Sequence, residues 1–364
     1  MTMNTQQFEE RKRDHIRHAL DPSNQATGQS RLGEIHLFHE ALPDLDFEEI
    51  ELETPVLGRG GRTPALATPF YVPGMTAGHP DAPKLNRTLA LACERRGWAM
   101  GVGSQRRELE ARAAGDLKSA SLDAWRELRT EVPNLVLVAN IGISQAIRVG
   151  SKEVQSLADS LGAQAVAIHL NALQEALQPE GTPQFRGSMS AILRLCSELK
   201  TPVILKETGC GFSRQTLARL PAQGIAGIDL SGLGGTHWGR MEGARSAAQS
   251  PQARGAVTFA NWGESLVDSL HAARKVFDRP QTRPEIWASG GIRSGLDAAK
   301  AIALGANRVG FAQPALEAAL QGERALDSWM AQMEYELKVA LFCTGCRDPK
   351  TLREKEGVWT TSGT

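Results

Sequence analysis

Residues 169–181 read HLNALQEALQPEG, a histidine, several amides and two carboxylates set directly behind the apolar run AVAI. Such a stretch is either a solvated helix start or the floor of an active site. His169 and Asn171 stand two apart, so on an extended strand they face the same way, and Gln174 and Glu175 follow within one helical turn. Further on, Lys206 closes the apolar run of VILKE, where its amine either reaches a cavity or is buried at a cost. ASGGIRSG (288–295) runs into the helical pattern LDAAKAIALGA, so its glycines can bring backbone amides, and the helix its positive end, up to an anion. A Gly-Gly pair alone reads more readily as a plain turn. GLGGT (232–236) offers small residues against which a flat ring or a flexible chain could lie.

Eight short apolar runs must position these groups. They are PFYVPGM (69–75), WAMGVGS (98–104), NLVLVANIG (134–142), AVAIHLN (165–171), PVILKET (202–208), GIDLSG (227–232), EIWASGG (285–291) and NRVGFAQ (307–313), each followed by a helix-like stretch. Continuous apolar runs alternating with helices indicate parallel strands buried on both faces. Eight such units close into a TIM (β/α)8 barrel, with a doubly wound open sheet as the alternative. AVTFANWG, ending at Gly263, reads as an added strand or an ordered loop. Residues 1–66 form an N-terminal arm or cap, 67–316 the barrel, and 317–364 the last helices and a tail, one domain overall.

In such a barrel the chemistry sits at the C-terminal ends of the strands. Those ends are Met75 and Thr76, Ser104 with Gln105 and Arg106, Asn140, His169 and Asn171, Lys206 and Glu207, Ser231, Gly290 with Gly291 and Arg293, and Ala312. The place of ASGGIRSG on the seventh run, with NRVGFAQ next, makes it a phosphate site.

Composition narrows the class. Lysine plus arginine equal aspartate plus glutamate at 41 each, so there is no basic footprint for nucleic acid, and an anion must be held by local geometry. Five cysteines are an odd number in 364 residues, which indicates a reducing cytoplasm rather than a disulfide framework. Cys343 and Cys346 form one CxxC, a helix end and its turn or a metal or redox pair, with no second pair nearby. The charged start lacks the apolar stretch of a signal peptide, and no apolar run reaches the length of a membrane span.

RKRDHI (11–16), PGMTAGH (73–79), GVGSQRR (101–107), HLNALQEALQPEG, LKETGCG (205–211), DLSGLGGTHWGRME (229–242) and ASGGIRSGLDAAKAIALGA (288–306) together resemble the type 2 isopentenyl-diphosphate isomerases, FMN-dependent TIM-barrel enzymes. The HLN…QE…PEG element is specific to that family; the glycine-rich end is shared more widely. The resemblance implies conversion of isopentenyl diphosphate to dimethylallyl diphosphate with reduced FMN, Mg2+ and NADPH as reductant, in a homo-oligomer, a tetramer or octamer. It assigns FMN to Gly74, Met75, Thr76, Ser104, Asn140, Lys206, Ser231, Thr236, Gly291, Ile292, Arg293, Ala312 and Gln313. Substrate falls to Arg11, Lys12, Gln105, Arg106, His169, Asn171 and Gln174, Mg2+ to Glu175, and the catalytic set to Gln174, Lys206 and His169. Arginine and lysine suit a diphosphate, and a carboxylate beside phosphate oxygens suits magnesium. Gln174 is an amide without a useful pKa, so the proton that shifts the double bond is left to the reduced flavin. Lys206 would stabilise negative charge on that ring.

Three segments depart from the family pattern: PGMTAGH in place of SSMTGG, Thr182 in place of the acid of PEGD, and WGESL after the tryptophan. The competing reading is an FMN-dependent 2-hydroxy-acid oxidase or dehydrogenase, which needs a histidine with an arginine close by, and THWGRME offers His237 and Arg240. A flavin-binding scaffold without catalysis is the third. His18, His36, His39 and His271 read as surface or packing groups, Trp98, Trp125 and Trp287 as core or interface, and Trp238 and Trp262 as residues of the mouth loops.

Overall fold

The computed structural model describes residues 16–55, 57, 66–75, 82–106, 108–109, 120–221, 224–278 and 283–362. A short strand, β1 (Ile35–Leu37), precedes a closed barrel of eight parallel strands. These are β2 (Phe70–Val72), β3 (Ala99–Gly101), β4 (Leu137–Gly142), β5 (Ala165–Leu170), β6 (Val203–Glu207), β7 (Ile225–Asp229), β8 (Glu285–Ala288) and β9 (Arg308–Gly310). Each of the eight apolar runs carries one of them, and β9 returns to β2 with Tyr71 opposite Gly310, so the sheet is a TIM barrel and not open.

Strand parity divides the apolar residues between two cores. Ala165 and Ala167 of β5, Val136 and Val138 at β4, Ile204, Tyr71 and Trp287 fill the barrel interior. Val166, Ile168, Leu137, Ala139, Val203 and Leu205 point outward under the helices. Both faces are therefore dry, which is why the strands read as unbroken apolar runs. Two residues past each interior position the same parity reaches the mouth, and it delivers Asn140, His169, Lys206, Asp229 and Ser289 inward.

AVTFANWG forms no strand. Pro251–Thr258 is a helix capped by Ser250, whose hydroxyl accepts from Ala253 N at 3.1 Å, and the chain then turns through Trp262. Val257 and Trp262 are exposed, so these apolar side chains have no sheet to bury them.

The 21-residue helix Glu323–Cys343 packs against the barrel wall, with Trp98 donating its indole N–H to Glu334 at 2.8 Å. Cys343 ends this helix and Cys346 lies buried in the turn after it. The segment beyond is more than a tail: β10 (Trp359–Thr361) pairs antiparallel with β1, and Trp359 stacks on His271 with ring centroids 5.4 Å apart.

Candidate active site

The inward strand ends surround one cavity at the C-terminal mouth of the barrel. Gly74, Met75, Ser104, Asn140, Lys206, Ser231, Thr236, Gly291, Ile292, Arg293, Ala312 and Gln313 line it, and so do Arg106, His169, Asn171, Gln174 and Glu175. Arg11, Lys12 and Thr76 lie outside the described residues. Gln105 stands behind the wall at 1% exposure: its Oε1 accepts from Asn140 N at 3.2 Å, and its own backbone N–H donates to Asn140 O at 2.9 Å. It braces Asn140 from behind, and its buried Nε2 meets no partner among the described residues.

Asn140 in turn orients His169. The amide Nδ2 donates to Val102 O at 3.0 Å, which leaves Oδ1 to accept from His169 Nδ1 at 2.9 Å. The imidazole proton is thereby placed on Nδ1.

The polar stretch after β5 folds into a short helix, Ala172–Leu177, whose first turn presents its side chains to the cavity. Asn171 Nδ2 donates to Gln174 Oε1 and to Glu175 Oε1, both at 3.1 Å. Gln174 Nε2 donates to Glu242 Oε1 at 2.8 Å, and Glu242, fully buried, is paired with Arg245. Arg245 also binds Glu180 at 2.9 Å, so the PEG turn is tied directly to the helix Trp238–Arg245, which Gln174 meets through Glu242. Thr182, standing where an acid was expected, donates its backbone N–H to Glu175 Oε2 at 2.5 Å. Glu242 closes the DLSGLGGTHWGRME motif, but no local pattern announces its partner, since 68 residues separate it from Gln174.

Lys206 is both at the mouth and paired. Its side chain is 12% exposed and its Nζ lies 2.7 Å from Asp229 Oδ2, while Asp229 Oδ1 accepts from Ser289 Oγ at 2.7 Å. Asp229 is 2% exposed. Its position was legible by parity, two residues after Gly227 on the inward face. Glu207, on the opposite face, accepts backbone N–H groups from Thr208 (2.6 Å), Gly209 (2.8 Å) and Cys210 (2.5 Å) and so shapes the loop after β6. Burial pushes its carboxyl up to about 7, against the lowering effect of those amides and of Lys206.

The Gly-rich ends fit loop against loop. Gly290 and Gly291 hold φ of +104° and +84°, and a Cβ on either would strike the carbonyl oxygens of Gly232 and Gly234. Ser231 holds φ +40°, strained backbone at the cavity wall. Arg293 donates to Gln313 Oε1 at 3.0 Å and to Gln25 Oε1 at 3.4 Å. Gln25 belongs to the N-terminal arm, lines the same cavity, and donates to Ala19 O at 2.8 Å and Thr236 Oγ1 at 3.1 Å.

His237 and Arg240 do not reach the cavity. His237 is fully buried; its Nδ1 caps the helix Trp238–Arg245 by accepting from Arg240 N at 3.2 Å, and its Nε2 lies 3.1 Å from Trp262 O. Burial, with the charge of Arg240, lowers its pKa and keeps it neutral. The Arg240 guanidinium is occupied by the carbonyls of Ala260 (2.8 Å), Gln25 (2.7 Å) and Ser23 (3.3 Å) and by Asn261 Oδ1 (2.7 Å). The pair that an oxidase would need is structural here. Trp238 lines the cavity, whereas Trp262 faces solvent.

Residues 151–359 match the family model described as FMN-dependent dehydrogenase. The isopentenyl-diphosphate delta-isomerase of Bdellovibrio bacteriovorus is 48% identical over 98% of this chain and 99% of its own length. That of Legionella pneumophila (strain Corby) is 47% identical over 96% and 97%. Among solved structures, flavocytochrome b2 superposes with a TM-score of 0.67 at 16% identity, covering 99% of this chain and 86% of that one. Mandelate oxidase gives 0.62 at 18% identity over the whole of both chains. At these identities the two structures share the fold alone.

Proposed function

The chain belongs to the FMN-dependent isopentenyl-diphosphate delta-isomerases, and on that premise we propose that it converts isopentenyl diphosphate to dimethylallyl diphosphate. One observation carries the reading: a single cavity holds both the Lys206–Arg293 set and the Asn171–Gln174–Glu175 set. The first suits FMN, with the Arg293 guanidinium and the Gly290–Gly291 turn at the mouth of the helix Gly295–Ala303, a cation at Lys206, and apolar walls from Met75 and Ile292. The second suits a diphosphate and one Mg2+.

Glu175 is the metal carboxylate in this reading. A single carboxylate beside diphosphate oxygens is the oxygen environment that would suit Mg2+. Asn171 and Thr182 hold the two carboxylate oxygens in place for it. In this reading His169, oriented by Asn140, and Arg106, which line the cavity, would bind the diphosphate.

The reaction adds a proton at the terminal alkene carbon and removes one from the carbon on the diphosphate side, with no net redox change. When bound, reduced FMN supplies an electron-rich ring and a site for proton exchange. The chain's own part is placement. Gln174 is held at both ends of its amide, by Asn171 and by Glu242, so it fixes the alkene without exchanging a proton itself.

Turnover of isopentenyl diphosphate with FMN, NADPH and Mg2+ tests this. Wild type should convert it, and Gln174→Ala should fall by about 10²-fold through lost positioning. Activity that survives removal of the flavin would overturn the reading; bleaching of the flavin by lactate or glycolate without air would favour the oxidase. A homo-oligomer, tetramer or octamer, belongs to this reading through the family alone, and light scattering measures it. A cytoplasmic site rests on the odd cysteine count. No described helix is long and apolar enough to cross a membrane.

A further inference from the structure

Lys206 faces the cavity with a counter-charge already attached. Asp229, the last residue of β7, is 2% exposed and touches Lys206 Nζ at 2.7 Å through Oδ2. Ser289 Oγ holds the other oxygen at 2.7 Å. Tyr71 faces the same carboxylate, and burial foremost, then the Asp229 charge, keeps its phenol protonated. The carboxylate lies beneath the cavity floor and water does not screen it, so its field acts on the same space as the lysine's. Ser289 prevents it from swinging away.

We propose that Asp229 sets the reduction potential of the flavin by offsetting Lys206, making it a positioning and tuning residue that touches no reacting atom. The proposal rests on FMN occupying this cavity. A lone cation against a flavin favours its electron-rich reduced form and raises the potential; a neutral ion pair leaves the potential close to that of an uncharged floor. For an isomerase the potential matters because it sets how tightly the flavin keeps the two electrons it must hold through turnover, and the Asp229–Lys206 pair fixes that value lower than a lone Lys206 would. It also explains why a lysine can stand at a nearly dry strand end: the pair is hydrogen-bonded at both partners.

The test is the midpoint potential of bound FMN in the full-length protein, measured by spectroscopic titration. Asp229→Asn should raise it by at least a tenfold shift in the reduction equilibrium, about 30 mV for a two-electron couple. Lys206→Met should lower it by a similar shift. The double variant Asp229→Asn/Lys206→Met removes both charges at once, so it folds without an unpaired buried charge and should return near wild type even if a single variant fails to accumulate. The proposal is overturned if Asp229→Asn binds FMN at an unchanged potential, or if the double variant is as low as Lys206→Met alone. Failure of the wild type to bind FMN would instead remove the functional reading beneath it.

Discussion

Gln174 shows how one side chain acquires a role that its chemistry alone would not suggest. An amide neither gives nor takes a proton near neutrality, yet here both of its ends are satisfied by buried or half-buried partners, Asn171 and Glu242. Glu242→Gln would present a second amide to Nε2 and leave Arg245 with Glu180 alone. We expect kcat to fall by about 10²-fold with KM for isopentenyl diphosphate little changed, as read from steady-state kinetics. If both parameters stay at wild type, the link is only structural. Glu207 carries a different consequence. Its folded pKa of about 7 lies above its ordinary 4.5, so between those values the folded state holds a proton that the unfolded chain has lost. Its contribution to stability is full below pH 4.5 and is lost as pH rises to 7, at most roughly 3 kcal/mol. Urea denaturation across that window should show a shallower pH dependence in Glu207→Gln, and an unchanged slope would mean that Glu207 does not titrate there.

At the scale of elements, the mouth is built from loops that brace each other. The arm joins this arrangement through one isolated bridge, Gln25 to Thr236: Ala26 N donates to Gly235 O at 2.8 Å, and Gln25 bridges Ala19, Thr236 and Arg293. Arm and phosphate loop therefore share one side chain. Gln25→Ala removes hydrogen bonds worth about 1 kcal/mol each, so FMN should bind roughly tenfold more weakly by fluorescence quenching. Trypsin should also cut faster at Arg17, because the helical turn at residues 16–20 loses its tie to the barrel. Equal affinity and equal cleavage would show that the arm docks without Gln25. No periodicity in the first 66 residues announces this docking, since its partners come from β-strand ends over 200 positions away.

The whole molecule is closed twice, once by the barrel and once by β10 joining β1. Val358 is buried and Trp359 packs on His271, so a chain ending at residue 355 should lose about 2–4 kcal/mol and melt several degrees lower by calorimetry. An unchanged melting temperature would make the terminal strand ornamental. By itself the sequence determined the eight strands and that their polar C-terminal ends gather at one mouth. Parallel strands covered on both faces must be apolar throughout, and the period of two then carries His169 and Lys206 to the mouth. It determined the Gly290–Gly291 turn for a similar local reason, because only glycine adopts that backbone against a neighbouring loop. It did not determine that AVTFANWG is a helix end, that Thr182 supplies a backbone amide to Glu175, that Asp229 pairs with Lys206, or that Glu242 and Gln25 complete the site. Those were decided by tertiary structure, since each depends on which polar groups meet in a dry space, and burial turns such meetings into requirements that no local pattern records.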